Sequence, residues 1–343
     1  MSGDTVTVEA PARLHFGLLD LRGALGRRFG GIGAPAPEVS ARVSVSLADD
    51  VEAEGPDAGR AVEFARRFLT HHALAGGAHV QVERAIPPHT GLGSGTQLAL
   101  SIARALADLH DVRATPPDLA RAVGRAKRSA VGTWTFAGGG FVVEGGRRMD
   151  QNDDTGPLLA RLAFPTAWRC VIAVPKAQPG VSGAAEAEAF ASLPLPAERE
   201  VERVSHLVLM AMLPALADGD LSTFGAALTE VQEINGRWFS HAQGGTFAPG
   251  ASSALVARMR EWGAAGVGQS SWGPAVYAIV GGDDAAHDLS RRLRDAVGDG
   301  GLVYTGAFPS NGAIVSSRAQ QLSSRAPGIV IPSDSEGSSV KYP

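Results

Sequence analysis

A glycine-rich segment in the first third of the chain has residues that can bind an anion. Between Ile86 and Gln97, glycines stand at positions 91, 93 and 95. Glycine permits positive φ angles and lets a backbone approach a ligand closely. The apolar residues that follow recur every three to four positions, which predicts a helix beginning at Ser94. Since free amides at a helix N terminus attract phosphate, we predict a phosphate site formed by Gly91, Gly93, Ser94, Gly95, Thr96 and Gln97.

The same segment also has a plain structural interpretation. Ser94 and Gln97 have the spacing of a capping box, so an ordinary capped helix after a tight turn explains these residues too. The segment differs from the nucleotide-binding P-loop, because no lysine follows its last glycine, and from the dinucleotide-binding fingerprint. Ser94 and Thr96 are candidate Mg²⁺ ligands, directly or through water, although hydroxyls near a helix start more often cap the helix.

A second group of reactive side chains lies near the N terminus. Arg13 and His15 are two positions apart in a strand-like stretch, so both side chains can face one side. Arginine binds phosphate or carboxylate in a bidentate manner. Asp20 follows, either to orient a base or to contact ligand hydroxyls, or to cap the turn before Gly23. We predict Arg13, His15 and Asp20 as catalytic residues.

Further polar residues have positions that suit substrate binding. Arg27 and Arg28 are either anion ligands or solvated loop charges. Lys127 and Arg128 end a predicted helix, where a cation also simply favours the C terminus. Tryptophans can stack on an aromatic ligand, although core packing explains them better. The candidates are Arg27, Arg28, Lys127, Arg128, His241, Gln243, Gln269, Ser270 and Ser271, with Trp134, Trp238 and Trp272 as stacking rings.

Two groups of strands and helices are predicted to position these residues. Strands are predicted at 5–9, 39–47, 79–84, 141–144, 169–174, 275–280, 302–307 and 313–317. Helices are predicted at 59–74, 94–110, 118–129, 198–216, 221–235, 252–262 and 284–297. This order favours an α+β architecture over a doubly wound sheet. The predicted lobes span 1–166 and 167–317, and the Ser-, Pro- and Gly-rich residues 318–343 are predicted to be a disordered tail.

Composition argues against several classes of function. The chain has 343 residues, of which 44% are hydrophobic, enough for two cores. Its single cysteine, Cys170, is expected to be a buried thiol in a reducing, cytoplasmic location. We see neither a signal peptide nor an apolar run near the roughly 20 residues that span a bilayer. A net charge of −4 with scattered basic residues argues against a nucleic-acid partner.

Several motifs together resemble those of a known superfamily. The spacing Pro88-x-x-Gly91-Leu92-Gly93-Ser94-Gly95 is similar to the central motif of the GHMP kinases, in which that loop wraps a nucleotide's phosphates. Residues 10–21, 26–33, 241–245 and 268–277 resemble, as a set, the β-ribofuranosylaminobenzene 5'-phosphate synthase branch. The resemblance covers residues 5–317. It implies a two-lobed GHMP-kinase fold with an N-terminal ribosomal-protein-S5-like lobe and a C-terminal ferredoxin-like α/β lobe.

The resemblance implies a transferase. Members of that branch join 4-aminobenzoate, or in some cases 4-hydroxybenzoate, to phosphoribosyl pyrophosphate, with loss of carbon dioxide and pyrophosphate, in the making of tetrahydromethanopterin. With this reaction we expect Mg²⁺ at the pyrophosphate, and the resemblance implies a homodimer. In several GHMP kinases an aspartate of a second motif acts as base, and the matching position here is Gly132. Such a base is typically worth about 10² to 10⁴ in rate, which disfavours the first alternative, an ATP-dependent small-molecule kinase. The second alternative is a non-catalytic phosphosugar-binding protein.

Overall fold

The computed structural model describes residues 4–151, 155–176 and 183–317, and the predicted tail at 318–343 lies outside the described residues. The strands are β1 Thr5–Asp20, β2 Arg27–Ala48, β3 Val51–Glu54, β4 Gly77–Arg84, β5 Phe141–Glu144, β6 Arg147–Arg148, β7 Leu158–Leu162, β8 Trp168–Val174, β9 Gly266–Gln269, β10 Val276–Gly281, β11 Leu302–Gly306 and β12 Ile314–Ser317. The helices are α1 Ala58–His71, α2 Ser94–Leu109, α3 Pro116–Ala122, α4 Val131–Ala137, α5 Gly183–Ser192, α6 Glu198–Leu207, α7 Leu213–Asp218, α8 Leu221–Gln243, α9 Ala251–Glu261 and α10 Asp283–Val297. A π-helical turn, Val208–Met212, joins α6 to α7.

The first sheet is built around the long antiparallel pair β1 and β2. Its strand order is β12-β1-β2-β4-β3, while β5 and β6 also pair with β2, and β7 pairs with β5. Helices α1, α2 and α3 cover this sheet through an apolar core that includes Phe64, Leu98, Leu119 and Val80. Strand β12 comes last in the described chain, yet it pairs with β1. Sequence order alone placed this strand with the second lobe.

The second sheet is antiparallel, with the order β11-β8-β10-β9. Helices α9 and α10 pack on it in a core that includes Leu255, Leu289 and Val276. A further core joins both sheets, because it contains Phe16 of β1 and Ile172 of β8 together with residues of α8. The arrangement confirms the α+β class, and the shared core places α8 directly against β1. The predicted lobe boundary at 166/167 falls between β7 of the first sheet and β8 of the second.

The predicted limits of the first two strands are wrong. Strand β1 continues to Asp20 instead of ending at Glu9, and β2 begins at Arg27 instead of Val39. The pairing register shifts between Pro11 and Arg13 and again between His15 and Gly17. Such bulges interrupt the alternation by which a strand is recognised from sequence. The predicted first strand therefore ended before the segment that carries Arg13 and His15.

The predicted helix 118–129 is also wrong at its end. Helix α3 stops at Ala122, because Gly124 (φ 69°) and Ala126 (φ 61°) have left-handed backbones. Lys127 and Arg128 therefore lie in an irregular loop, 123–130, and not at a helix C terminus. Their interpretation as charges that favour a helix end no longer applies.

Other helices also differ from the prediction. Helix α4 was not predicted, and the π-helical turn divides the predicted helix 198–216. Helix α8 runs on to Gln243, eight residues beyond the predicted end at Asn235, and Gly244 closes it in the left-handed conformation. Helix α5 lies in a stretch for which neither a helix nor a strand was predicted. Among the described residues, no helix combines the length and the apolar character needed to cross a lipid bilayer.

Candidate functional site

One cavity brings together eight of the eighteen predicted catalytic, phosphate-binding and substrate-binding residues, and Thr96 is the only one of the six predicted phosphate residues among them. It lies between β1, the start of α2, the loop 123–130, α5, α8 and the residues that follow β9. Basic side chains line one part of it and aromatic rings another. No aspartate or glutamate is among the described residues that line it. The lining cations are Arg13, Arg125, Lys127 and Arg128, and the lining aromatic residues are Phe190, Phe239, Phe247 and Trp272.

Arg13 connects the glycine-rich turn to β1. Its Nη1 donates a hydrogen bond to the Gly91 carbonyl at 2.6 Å, and its backbone amide donates to the Leu92 carbonyl at 3.0 Å. A Cβ on Gly93 would lie 2.8 Å from the Cγ of Arg13, so only glycine lets the arginine lie this close to the helix start. Arg13 and the glycine-rich turn are thus in direct contact and hold each other in position.

Two further arginines, which the sequence analysis missed, approach the start of α2. A Cβ on Gly95 would lie 2.9 Å from Nη2 of Arg125 and 3.1 Å from Nη1 of Arg60. Both guanidinium groups therefore lie over the first turn of the helix, where the macrodipole already favours an anion. Since Arg60 comes from α1 and Arg125 from the loop 123–130, no local pattern in the sequence indicates this convergence.

The predicted phosphate residues have different positions in the turn. Helix α2 begins at Ser94 as predicted, but its N-cap is Gly93 (φ 79°), and no side chain caps it, so the predicted capping box is wrong. The Gln97 side chain is fully buried and donates instead to the Gly132 carbonyl at 3.0 Å. Gly91 packs against backbone, and Thr96 lines the cavity.

His15 lies in the cavity wall with little solvent exposure. Its Nε2 is 3.1 Å from the Ser129 hydroxyl, and its backbone amide donates to the Ser270 hydroxyl at 3.0 Å. Burial, with a smaller contribution from the charge of Arg13, lowers the pKa of His15 to about 3. The imidazole is therefore neutral at neutral pH and has a lone pair available to accept a proton.

The aromatic part of the cavity consists of three rings, which we call the aromatic trio: Phe190, Phe239 and Trp272. The centroid of the Trp272 ring is 5.0 Å from that of Phe239 and 5.4 Å from that of Phe190. All three pairs meet edge to face, a favourable geometry. The Arg128 guanidinium lies 4.9 Å from the Phe190 ring centroid, at the junction with the basic part.

The other two candidate stacking rings lie elsewhere. Trp134 donates its indole N–H to the Gly156 carbonyl at 2.8 Å, and Trp238 is buried with its indole bonded to Glu200. Neither lines the cavity. Core packing, the alternative given from sequence, describes Trp238, and of the three tryptophans only Trp272 can contact a ligand in this cavity.

Two polar residues of α8, missed in the sequence analysis, hold the site strands together. Gln232 donates to the Phe16 carbonyl at 2.6 Å and accepts from the Gln269 amide at 2.7 Å. Asn235 accepts from the Leu18 amide at 2.7 Å and donates to the Leu18 carbonyl at 3.1 Å. A buried polar side chain needs hydrogen-bond partners. Two side-chain amides on an otherwise apolar helix face therefore indicate that this face contacts backbone groups of another segment.

Several predicted substrate residues do line the cavity. Gln243, Gln269 and Ser271 lie there together with Lys127 and Arg128. The side-chain Nε2 of Gln269 donates to the Ser271 carbonyl at 3.0 Å and to the Gln243 side-chain oxygen at 3.4 Å. This brings residues from the end of α8 and the end of β9 side by side. Their contact with a substrate remains a prediction.

Asp20 does not line the cavity. Its carboxylate accepts hydrogen bonds from the backbone amides of Arg22 at 2.5 Å and Gly23 at 3.0 Å. This is the alternative that the sequence left open, a cap for the turn before Gly23. In this structure the carboxylate therefore has a local role, and its prediction as a catalytic residue gains no support from the cavity.

Arg27 and Arg28 also lie outside the cavity lining. They begin β2, and their side chains donate to backbone carbonyls, Arg27 to Gly146 at 2.7 Å and Arg28 to Leu21 at 2.8 Å. Strand pairing with β6, which the sequence did not reveal, places them there. They are therefore strand residues and not the loop charges of the alternative.

The last two candidates differ in burial. His241 is exposed in the last turn of α8 and does not line the cavity. Ser270 is fully buried, where its hydroxyl donates to the Gly91 carbonyl at 2.8 Å and accepts from the amide of His15. Ser270 thus joins the glycine-rich turn to β1, and it does not line the cavity.

The position at which several GHMP kinases carry an aspartate is closely packed. Gly132 lies in α4, and a Cβ there would be 3.0 Å from the Thr96 methyl group. No carboxylate from elsewhere in the described chain replaces it in the cavity lining. The site thus lacks the base that the kinase alternative would use.

Comparison with known proteins supports the fold and the resemblance. The model of the GHMP kinases N terminal domain matches residues 59–140, and that of the GHMP kinases C terminal region matches residues 212–299. The beta-ribofuranosylphenol 5'-phosphate synthase of Methanothermobacter thermautotrophicus is 35% identical over 320 residues, which cover 87% of this chain and 95% of the relative. The synthase of the same name from Archaeoglobus fulgidus is 33% identical over 300 residues, or 84% of this chain and 91% of the relative.

Solved structures show the same fold at lower identity. Homoserine kinase from Cytophaga hutchinsonii aligns with a TM-score of 0.68 and 18% identity, covering 92% of this chain and 98% of that chain. At this identity the likeness concerns the fold alone. The predicted two-lobed GHMP-kinase fold is confirmed.

Proposed function

The chain belongs to the beta-ribofuranosylphenol 5'-phosphate synthase family, and on that premise we propose that it joins 4-hydroxybenzoate to phosphoribosyl pyrophosphate with release of carbon dioxide and pyrophosphate. The observation that carries the proposal is one cavity with a basic, carboxylate-free part at a helix start and an aromatic part beside it. The relatives' name describes a phenol product, which favours 4-hydroxybenzoate over 4-aminobenzoate. The resemblance places this step in tetrahydromethanopterin biosynthesis.

The basic part of the cavity suits the pyrophosphate group. Arg13 and Arg125 approach the first turn of α2, whose amides and macrodipole favour negative charge. As the bond from ribose to pyrophosphate breaks, negative charge grows on the leaving oxygen. Donors positioned on that charge before the reaction are usually the largest electrostatic contribution to catalysis. The cations and the turn therefore stabilise the departing group.

We expect Mg²⁺ to enter this site bound mainly to the phosphate oxygens of the substrate. The described residues contain no group of three or more His, Cys, Asp or Glu side chains with metal-binding geometry, and the cavity lining offers the Thr96 hydroxyl but no carboxylate. Mg²⁺ prefers oxygen ligands and is commonly held by substrate phosphates. When bound, it would neutralise charge on the pyrophosphate. Roles for Thr96 and Ser94 as its ligands stay predictions.

The aromatic trio suits the ring substrate. Trp272 and its two phenylalanine partners offer a flat, apolar contact, and Arg128 beside Phe190 offers a cation for the carboxylate. Ring stacking with a nearby guanidinium fixes the orientation of a benzoate. The ring carbon that carries the carboxylate can then face the ribose. Loss of carbon dioxide restores aromaticity after the bond has formed.

The proposal is tested by a release assay. Purified protein is mixed with phosphoribosyl pyrophosphate, Mg²⁺ and 4-hydroxybenzoate that is radiolabelled in its carboxyl group, and trapped carbon dioxide is counted. Release that depends on phosphoribosyl pyrophosphate supports the proposal, and a parallel assay with 4-aminobenzoate decides the ring substrate. No release with either benzoate, together with ATP consumption on a small alcohol, would establish the kinase instead. Binding without any turnover would establish the phosphosugar-binding protein.

Substitution of Trp272 by alanine is expected to raise the KM for 4-hydroxybenzoate about 10-fold, because one ring contact of about 1.4 kcal/mol is lost. The KM for phosphoribosyl pyrophosphate should stay within twofold, since Trp272 lies in the aromatic part of the cavity. Trp262→Ala, at the end of α9 and outside the cavity, is the matched control. An equal rise in both KM values would contradict this placement of the ring.

The homodimer and the cytoplasmic location stay predictions. Cys170 is buried with a free thiol, and burial raises its pKa, which makes the thiol unreactive. This supports a reducing compartment without requiring one. Sedimentation of the purified protein measures the oligomeric state directly.

A further inference from the structure

A buried carboxyl group lies behind the cavity and is connected to His15. Glu144, the last residue of β5, has no solvent exposure. Its side chain accepts hydrogen bonds from the Ala130 amide at 3.1 Å, the Gly146 amide at 2.8 Å and the Ser129 hydroxyl. The Ser129 hydroxyl also lies 3.1 Å from Nε2 of His15. Three side chains thus form an unbroken hydrogen-bonded series from the cavity wall to the interior.

The proton affinities along this series support transfer of a proton inward. Burial raises the pKa of Glu144 to about 7, against the backbone amides that favour its charged form. Burial lowers the pKa of His15 to about 3. At the inner end the carboxyl thus readily accepts a proton at neutral pH, whereas at the outer end the imidazole readily passes one on. A carboxyl that served only to hold backbone amides would need no hydrogen bond from the serine that also meets a cavity histidine.

We propose that His15, Ser129 and Glu144 form a proton relay that takes the 4-hydroxyl proton of the benzoate during attack on the ribose and returns it afterwards. This inference rests on the proposed function of the same cavity. Because Nε2 of His15 meets Ser129, the relay assigns Nδ1 to the substrate. His15 is the catalytic residue, because it touches the substrate. Ser129 and Glu144 act through it.

Atoms and electrons balance in both steps. In the first step the substrate O–H bond breaks, and the proton passes to Nδ1 of His15, while the Nε2 proton moves to Ser129 and the Ser129 proton moves to Glu144. The electron pair of that bond forms a ring carbonyl, and the carboxylate-bearing carbon forms its bond to ribose as pyrophosphate leaves with the broken C–O pair. In the second step the carboxylate leaves as carbon dioxide, its bonding pair restores the ring, and the proton returns to oxygen.

Charged groups surround the relay on both sides. Arg13, Arg125, Lys127 and Arg128 line the cavity that His15 faces. These cations disfavour a stable imidazolium, so the proton moves on to Glu144. On the far side, Arg27 donates a hydrogen bond to the carbonyl of Gly146, and the amide of the same glycine donates to the Glu144 carboxyl group. From β7, which pairs with β5, Arg161 donates to the Gly139 and Trp134 carbonyls.

The decisive experiment compares substrates of different acidity in relay variants. Ser129→Ala breaks the series in the middle and leaves both backbone contacts of Glu144 in place. We expect it to lower kcat with 4-hydroxybenzoate about 100-fold, the usual scale of general-base help. With 3,5-difluoro-4-hydroxybenzoate, whose hydroxyl ionises without help near neutral pH, the loss should shrink to less than 10-fold. Ser222→Ala, an exposed serine of α8, is the matched control.

Each outcome has one meaning. An equal loss of kcat with both substrates would show that Ser129 has a structural role and would overturn the relay. An unchanged kcat with both substrates would also overturn the relay. Glu144→Gln should reproduce the pattern of Ser129→Ala, and if it fails to fold, Ser129→Ala alone decides. Calorimetric binding of phosphoribosyl pyrophosphate should be unchanged in Ser129→Ala. If the unsubstituted enzyme releases no carbon dioxide from either substrate, the proposed function fails, and the relay fails with it.

Discussion

Replacement of Arg13 by alanine is expected to lower turnover about 1,000-fold, the loss typical of removing one positioned donor from developing negative charge. The side chain donates to the Gly91 carbonyl and lies beside Gly93, so it both carries charge and orders the turn. The KM for phosphoribosyl pyrophosphate should rise as well, because the arginine contacts the anion before the reaction. Carbon dioxide release and far-ultraviolet circular dichroism measure activity and fold in the same preparation.

A surface arginine provides the control for the change in charge. Arg113→Ala removes one positive charge from an exposed position between α2 and α3, outside the cavity. Its turnover should stay within twofold of the unsubstituted enzyme. If Arg13→Ala also stays within that range, the anion does not bind where the cavity predicts. Arg13→Lys should recover part of the activity, since it restores the charge without the bidentate geometry.

Replacement of Gly91 by alanine is expected to lower the free energy of unfolding by about 3 kcal/mol, from left-handed strain and forced overlap together. Gly91 has φ 86°, and a Cβ there would lie 2.0 Å from the Ser270 carbonyl oxygen and 3.0 Å from Gly273. Those neighbours are backbone atoms that cannot rotate away. The turn must therefore move off Ser270 and Arg13, and turnover should fall at least as far as in Arg13→Ala.

Gly26→Ala separates these two causes. Gly26 has nearly the same backbone, φ 83°, but a Cβ there would meet no atom within 4 Å. It should lose only the cost of the left-handed conformation, about 1 kcal/mol, and keep its turnover. Urea unfolding of both variants measures the difference. Equal destabilisation would mean that the contact between the turn and Ser270 contributes nothing.

Local features of the site were predictable from the sequence because neighbouring residues create them. The start of α2 at Ser94 follows from glycines and an apolar period within one segment. The shared face of Arg13 and His15 follows from the alternation of a strand. The α+β class follows from the order of such segments. Prediction failed where a side chain is hydrogen-bonded to a distant segment. Gln97, for example, donates to the Gly132 carbonyl and does not cap its own helix.

Contacts over long sequence separations were not predictable. His15 meets Ser129, which is 114 positions away, and Ser270, which is 255 positions away. The aromatic trio draws on α5, α8 and the residues after β9. Arg27, Arg28 and Asp20 were candidates together with Arg13 in the sequence, yet strand pairing and a turn place their side chains on backbone groups outside the cavity lining.

The sequence by itself determined the family, the architecture and the glycine-rich turn at the start of α2, because these depend on residue types at short spacings. Only the tertiary structure decided which cations face that turn, which rings lie beside it and which carboxyl lies behind His15. The physical reason is that strand register, the two bulges of β1 and the packing of α8 set these neighbours. Those features arise from interactions between distant segments, which no local pattern encodes.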